Sequence, residues 1–592
     1  MPGGRERKPP FTPGRDSTPS QRLAVGLLSA ELLALQLVFM RWYAVASWHH
    51  HAYLVVSAAL LGLGASGSLL ALFRRPLSSW FPGSASAAAA LFALGAPAGL
   101  LLADALPVEA QYIAYDIRQV GLLLLSHLCV MIPFLFGGAA LGLSLIGFSD
   151  TGRVYGASLL GSGAGAALGA LLLNLLPPGP AVLLLAGLGM ANAPLYGARA
   201  PGGRTGRFGA VLLSLCVLPG ALGVFLGAAG VHWSPRIDPY KELAVLRRWA
   251  AQGDATFLAT RHSARARLDL VRSPRLHRTL FAGLGAVQMP PPQDALLVDG
   301  HYAGPVLRIR TPDEASILDD TPQSLAYRLV RRPRVLLLGE AGGANVWLAR
   351  RFGATEITIV QPDRNILEMI RALGPGDGGA ALEGNDLEVV VMEPRRFLET
   401  SRRRFDIIQV SAAEGMAAGE SGLLALRTTP LLTREALARC RRLLSPRGVL
   451  SITRGLQAPP RDNPKLLLTA ADAWRAEGAD PARRLLQAHN YLAAVTLAFR
   501  GPPADSLRPR IEAALEQLGL KLDTAPWSLH KAGALNGGDL LSMGTDALGP
   551  LARGLLSTAR DSLVAGYLYD LRPARDGRPY AYHSFRWRSL PD

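Results

Sequence analysis

The stretch RVLLLGEAGGANVWLARRFGATEITIVQPD, residues 334–363, decides the fold of the C-terminal part of this chain. It opens with an apolar run at 335–338, passes through a glycine-rich turn, continues as a helical pattern over 344–352 and ends in a second apolar run at 357–360. Strand, turn, helix and strand in that order make a βαβ unit, whose strands lie parallel in a doubly wound sheet. The alternation continues downstream, with strands at 387–391 and 405–410, a helix at 435–444 and a strand at 448–453. These elements predict a Rossmann-like α/β domain over 331–500, followed by an α/β extension over 501–592. Upstream, LDLVRS (268–273), DALLVDG (294–300) and VLRIR (306–310) predict a small antiparallel β-sheet within a segment spanning 232–330.

Further toward the N-terminus the chain is a different material. Residues 1–230 hold 13 Lys+Arg and 7 Asp+Glu, whereas the remaining 362 hold 49 and 38. After a polar, Pro-rich tail over 1–22, seven stretches are apolar enough to span a bilayer: about 23–40, 52–73, 86–106, 119–147, 154–176, 179–197 and 209–231. The expected architecture is therefore a multi-pass α-helical membrane bundle over 23–231, not a cleaved leader, with the lipid bilayer as its partner. If the N-terminus is cytoplasmic, the inner segments carry eleven basic residues and the outer ones only Arg41 and Arg118. Seven spans then place everything after 231 on the far side of an inner cell membrane.

Within the bundle, Gly161, Gly165 and Gly169 recur every four residues, a spacing that lets helix backbones approach closely. Glu31 is expected to pair with an arginine, because an ionised group in hydrocarbon is costly. The run His49-His50-His51 beside Trp48 reads as an interfacial anchor, since consecutive side chains on a helix do not converge on one metal ion.

Composition excludes other classes. Cys129, Cys216 and Cys440 lie far apart with no CxxC or CxxH spacing, so neither a disulfide framework nor a zinc site is indicated. The net charge of +17 comes from 57 Arg and 5 Lys scattered without a dense basic run or interleaved aromatics, a pattern that argues against nucleic acid.

The chemistry is expected at the glycine-rich turn. Glycines there admit a ligand to the backbone, and the following helix offers free N–H groups. Gly339, Gly342 and Gly343 are present, with Glu340 and Ala341 where a fuller glycine loop would stand. A carboxylate at the end of the second strand would hold ribose hydroxyls. Gln361 occupies that position, a weaker acceptor than a charged group.

Taken in order, these segments resemble the spermidine synthase family, specifically its membrane-fused branch with a class I methyltransferase fold. The resemblance rests on SWHHHAYLVVSAALLGLGASG (47–67), WSPRIDPYKEL (233–243), LLVDG (296–300) and RVLLLGEAGG (334–343). It continues through TIVQPDRNILEMI (358–370), MEPRRFL (392–398), FDIIQVSAAEG (405–415), LLTREALARCRRLLSPRGVLSITRG (431–455) and LRPARDGRPYAYHSFRW (571–587). It implies S-adenosylmethionine or its decarboxylated form as cofactor. Gly339, Gly342 and Gly343 would line it, with Gln361 at the ribose position, Glu393 near adenine and Asp363 also among the cofactor-binding residues. The catalytic position after the strand FDIIQV holds Ser411 where the family has an aspartate, and Glu414 falls where the family has a second acid. No Tyr-His pair of the kind that grips a polyamine is evident in DEASILDDTPQSLAY (313–327). Aminopropyl transfer needs a carboxylate to hold the cationic acceptor and draw off its proton, which serine does poorly.

The expected function is a membrane-anchored, spermidine synthase-like protein with a degenerate S-adenosylmethionine-type site, either non-catalytic or binding a small molecule weakly. The alternative is a transferase moving a methyl or aminopropyl group. A transporter rests only on Glu31 and Arg41. The C-terminal stretch 571–587 is expected to dock the chain end on its domain.

Overall fold

A computed structural model describes residues 16–109, 112–113, 115–197, 233–279, 281–283, 285–410, 427–528 and 544–589. The chain divides into two compact units, Met1–Lys241 with His262–Ala266, and Glu242–Arg261 with Arg267–Asp592.

The first unit is helical. Its long elements are α1 (Pro19–Ala46), α2 (His49–Leu72), α3 (Gly83–Ala105), α4 (Ile117–Gly147), α5 (Thr151–Leu175) and α6 (Pro178–Asn192). Six segments in this unit are long and apolar enough to cross a membrane, the last running on to Tyr196. The seventh expected span, 209–231, lies outside the described residues, as does Cys216. A capping box starts α1: the Thr18 hydroxyl accepts from the Gln21 N–H, and the Gln21 side chain accepts from the Thr18 N–H at 3.0 Å. The helix then continues past Arg41 to Ala46, beyond the apolar run that announced it, because nothing between 41 and 46 breaks a helix. Apolarity marks a span, whereas helix breakers mark its end.

The glycine row of α5 lies directly on α1. A Cβ at Gly161 or Gly165 would run into the backbone of Gly26 or Ala30, and one at Gly169 would meet Ala34. Two rows of small residues, 26/30/34 and 161/165/169, thus let the helices touch backbone to backbone. A bond of 2.8 Å between the Ser29 and Ser158 hydroxyls ties the same face. Glu31 departs from expectation. It is only 3% exposed, yet among the described residues no cation pairs with it and its Oε2 has no hydrogen-bond partner. Arg41 lies ten residues along α1, about 15 Å up the axis, too far to reach.

The second unit carries two sheets. The smaller is antiparallel in the order β1 (Thr256–His262), β2 (Arg267–Arg272), β3 (Gln293–Val298), β4 (His301–Leu307). Asp299 and Gly300, with φ of 51° and 80°, turn β3 into β4. This turn corrects the strand expected at 306–310. A two-residue hairpin turn starts the returning strand at once, so β4 begins at His301. β1 was not anticipated, because its alternation is broken by Arg261 and His262.

The larger sheet has eight strands: β5 (Arg334–Leu338), β6 (Glu356–Val360), β7 (Leu387–Val390), β8 (Phe405–Val410), β9 (Leu444–Gly455), β10 (Leu485–His489), β11 (Ala493–Phe499) and β12 (Lys521–Thr524). Their spatial order is β12-β10-β11-β9-β8-β5-β6-β7. The five strands from β7 to β9 are parallel and follow the 3-2-1-4-5 order of a doubly wound sheet. β11 then runs antiparallel to β9, and β12 joins beyond β10. β5 reads as a continuous apolar run because both faces of the sheet are covered, and residues such as Val335, Leu337, Ile407 and Leu450 are fully buried. The strand order reverses between β5 and β8, where doubly wound sheets bind ligands at their carboxyl edge.

The C-terminal stretch docks on this sheet domain. Thr429 N–H donates to the Pro579 carbonyl and Arg434 N–H to that of Ala574, the Thr433 hydroxyl donates to Asp576, and the Arg454 guanidinium lies over the Tyr582 ring.

Candidate functional site

The loop after β5 meets helix α7 (Ala344–Arg351) at Gly343, which takes the left-handed conformation with φ of 85°. α7 buries Val346, Trp347, Leu348 and Ala349 and aims its N-terminus at the carboxyl edge of the sheet. Those N–H groups are the feature that suits an anion. One is already taken: the Glu340 carboxylate accepts from Gly343 N–H at 2.8 Å and from the Asn345 amide at 2.5 Å. The Asn345 oxygen accepts from Gln409 of β8 at 2.7 Å, and the Gln409 oxygen accepts from the Tyr327 hydroxyl at 2.6 Å. Glu340, Gln409 and Tyr327 are all buried, and burial pushes the Tyr327 phenol above its ordinary range, with the Glu340 charge adding to it. A continuous chain of side-chain hydrogen bonds therefore locks the loop to β8.

Above the loop lies a cleft of about 620 Å³, counting its open mouth. Its floor is Glu340, Gly342 and Asn345, and its opposite wall is the β4 backbone at Gly304 and Pro305. The approach is close enough that a Cβ at Gly342 would strike the Pro305 carbonyl. Ile317, Leu318, Thr321 and Gln323 close one side, so the stretch 313–327 contributes apolar and amide groups to the wall.

Among the expected cofactor residues, Gly342 lines this cleft, with Gly339 (φ of 76°) and Gly343 forming the bends on either side. Gln361 ends β6, but its amide turns inward, donating to the Glu340 carbonyl at 2.6 Å and accepting from Asp363 N–H at 3.1 Å. Asp363 caps helix α8 (Arg364–Arg371) by accepting from Asn365 N–H at 2.9 Å. Glu393 stands exposed after β7, at the N-cap of the helix Pro394–Thr400. Ser411 and Glu414 lie outside the described residues.

Several residues of the site have no signal in the sequence. Tyr327 and Gln409 are 82 positions apart and meet only because β8 lies beside β5. Glu340 carried a readable signal: an acid three positions ahead of the glycine that begins the helix is placed to accept from its N–H. At the carboxyl end of β9, a further buried cluster joins Arg454 to Asp462 and Lys465 of helix α9 (Asp462–Ala476). Burial raises the Asp462 carboxyl to about 6, partly offset by the Gln457 amide, and lowers the Lys465 ammonium to about 8.

A doubly wound sheet with a glycine-rich turn at its reversal point defines the class of Rossmann-like folds that place nucleotides there. Comparison with known proteins points within that class. The chain is 26% identical over 123 residues to a polyamine aminopropyltransferase of Pseudomonas syringae pv. tomato, covering 21% of this chain and 40% of the relative. It is 27% identical over 132 residues to polyamine aminopropyltransferase 1 of Pseudomonas aeruginosa, covering 22% and 42%. The matched region thus spans about two-fifths of the curated relatives' length. Among solved structures, spermidine synthase from Thermotoga maritima aligns at 14% identity and a TM-score of 0.29, covering 44% of this chain and 87% of that one. A probable spermidine synthase from Corynebacterium glutamicum aligns at 12% and 0.30, covering 46% and 92%. No protein-family profile matches the chain.

Proposed function

We propose that this chain is a membrane-anchored relative of the aminopropyltransferases whose nucleoside site keeps its outline but has turned its polar groups on itself. The observation that carries this reading is the engagement of Glu340: its carboxylate occupies the N–H of Gly343 and the amide of Asn345, while Gln361 is spent on the loop backbone. A ligand entering the cleft must displace charge-assisted bonds that the chain already makes, and this cancels most of its gain. With serine at 411 in place of the family's aspartate, the protein acts as a weakly binding or non-catalytic module on a helical anchor.

A cleft of about 620 Å³, with a carboxylate on its floor, favours a second reading, in which S-adenosylmethionine or its decarboxylated form binds and a methyl or aminopropyl group is transferred. Calorimetric titration of the full chain in detergent with both compounds separates the two. The first reading expects dissociation constants weaker than ~0.1 mM and no transfer to a diamine. Micromolar binding, or any turnover, replaces it with the second.

A further inference from the structure

The helical unit holds a second cleft that uses none of the glycine-loop residues. It opens at the end of the bundle where α1 and α3 finish and α2 begins, and occupies about 690 Å³ counting its mouth. Its chemistry contrasts with the rest of the molecule. The chain carries 62 basic and 45 acidic residues, yet Asp104, Glu109 and Asp238 face this cleft against a single guanidinium, Arg236. Two of the carboxylates are set in place by hydrogen bonds: Asp104 accepts from Arg236 N–H at 3.0 Å and from the Trp42 side chain, and Asp238 accepts from Tyr240 N–H at 3.0 Å. The nearby Lys241 ammonium donates to the Ala44 and Val45 carbonyls.

The walls are aromatic and rigid. Trp42, 1% exposed, packs edge-on against Trp233 at 5.0 Å. Tyr43 stacks on His127 at 5.8 Å and holds the Ser126 hydroxyl at 3.1 Å. His51 meets His127 edge to face at 6.2 Å. A carbonyl oxygen only accepts, so the 2.8 Å contact of His127 Nδ1 with the Leu123 carbonyl puts a proton on Nδ1. Three carboxylates thus face one guanidinium, and the walls are aromatic. That combination suits a ligand that is all donor and positively charged, with an apolar body.

From this juxtaposition of aromatic walls with three carboxylates we infer that the cleft binds a small organic ammonium ion. The ammonium head lies among Asp104, Glu109 and the aromatic side chains of Trp42 and Tyr43, and its alkyl portion against Leu106 and Val108. Among the described residues no three His, Cys, Asp or Glu converge as a metal site would require, so an inorganic divalent ion is the poorer fit.

The test uses the full chain in detergent, radiolabelled butylammonium chloride as probe and sodium chloride at matched ionic strength. Saturable binding is expected, displaced by unlabelled butylammonium and weakened at least tenfold in Asp104→Asn. Glu109→Gln, a half-buried and milder change, should weaken it severalfold and stands in if the first variant does not fold. Excess adenosine, which addresses the glycine-loop cleft, should leave binding unchanged. The inference is overturned if ~10 mM probe shows no saturable binding. It is equally overturned if both variants bind as the parent does, if adenosine displaces the probe, or if magnesium chloride competes as well as butylammonium.

Discussion

Glu340 shows how one side chain sets the character of a site. Replacing it with alanine leaves the Gly343 N–H and the Asn345 amide without their acceptor in a buried place, at a cost of about 1–3 kcal/mol. Chemical denaturation of the full chain in detergent checks this, and an unchanged midpoint would mean that the loop does not depend on its own carboxylate. Gly342→Ala acts by shape, because its Cβ meets the Pro305 carbonyl and pushes β4 off the loop. A loss of about 1–3 kcal/mol is expected in the same measurement, together with loss of whatever nucleoside binding the parent shows. Asp462 governs a pH dependence. Its carboxyl is raised from 3.8 to about 6 by burial, so the folded state favours the neutral form. The stabilisation is full below about pH 4 and is lost as pH rises through about 6, by up to about 3 kcal/mol. Asp462→Asn should lack that decline. Parallel melting curves for parent and variant between pH 4 and pH 7 would sink the assignment.

At the level of elements, the contact between α1 and α5 is the most sensitive join in the helical unit. Backbone touches backbone at Gly26/Gly161 and Ala30/Gly165, so any larger side chain must separate the helices. Gly161→Leu or Gly165→Val should lower the melting temperature in detergent substantially. Gly163→Leu, at a position with open space around its Cβ, should not. Equal behaviour of the three variants would show that the row is not the contact. This join was legible in the sequence because a four-residue spacing of glycine on an apolar helix has one main physical use. The parallel strands were legible for a similar reason: unbroken apolar runs are tolerated only where both faces are covered. The β3–β4 register was not, since it depends on where a two-residue turn closes, not on which residues are apolar. Nor was the absence of a cation beside Glu31 among the described residues, because a sequence names candidate partners but gives no distance between them.

For the whole molecule, the count of spans decides on which side of a membrane the sheet domain lies. Six candidate spans fall among the described residues, and the apolar run at 209–231, outside them, is the seventh that the sequence reading expects. A phosphatase reporter fused to the C-terminus should therefore be active outside the cytoplasm, and deletion of 209–231 should silence it. An inactive reporter on the full chain would remove the seven-span reading. The sequence alone determined the two materials of this protein and the parallel, doubly wound character of its sheet, because apolar periodicity and glycine placement act over a few neighbouring residues. It also named the positions along the carboxyl edge of the sheet. What those positions do was decided only by tertiary structure. Glu340, Asn345, Gln409 and Tyr327 lie on separate elements and become one hydrogen-bonded chain once β8 is laid beside β5. Likewise, acids and aromatics from α1, α3 and the segment after the bundle face one cleft only when those elements end at the same level. Local pattern fixes an element, whereas a site is made of distances between elements, and those are set by packing.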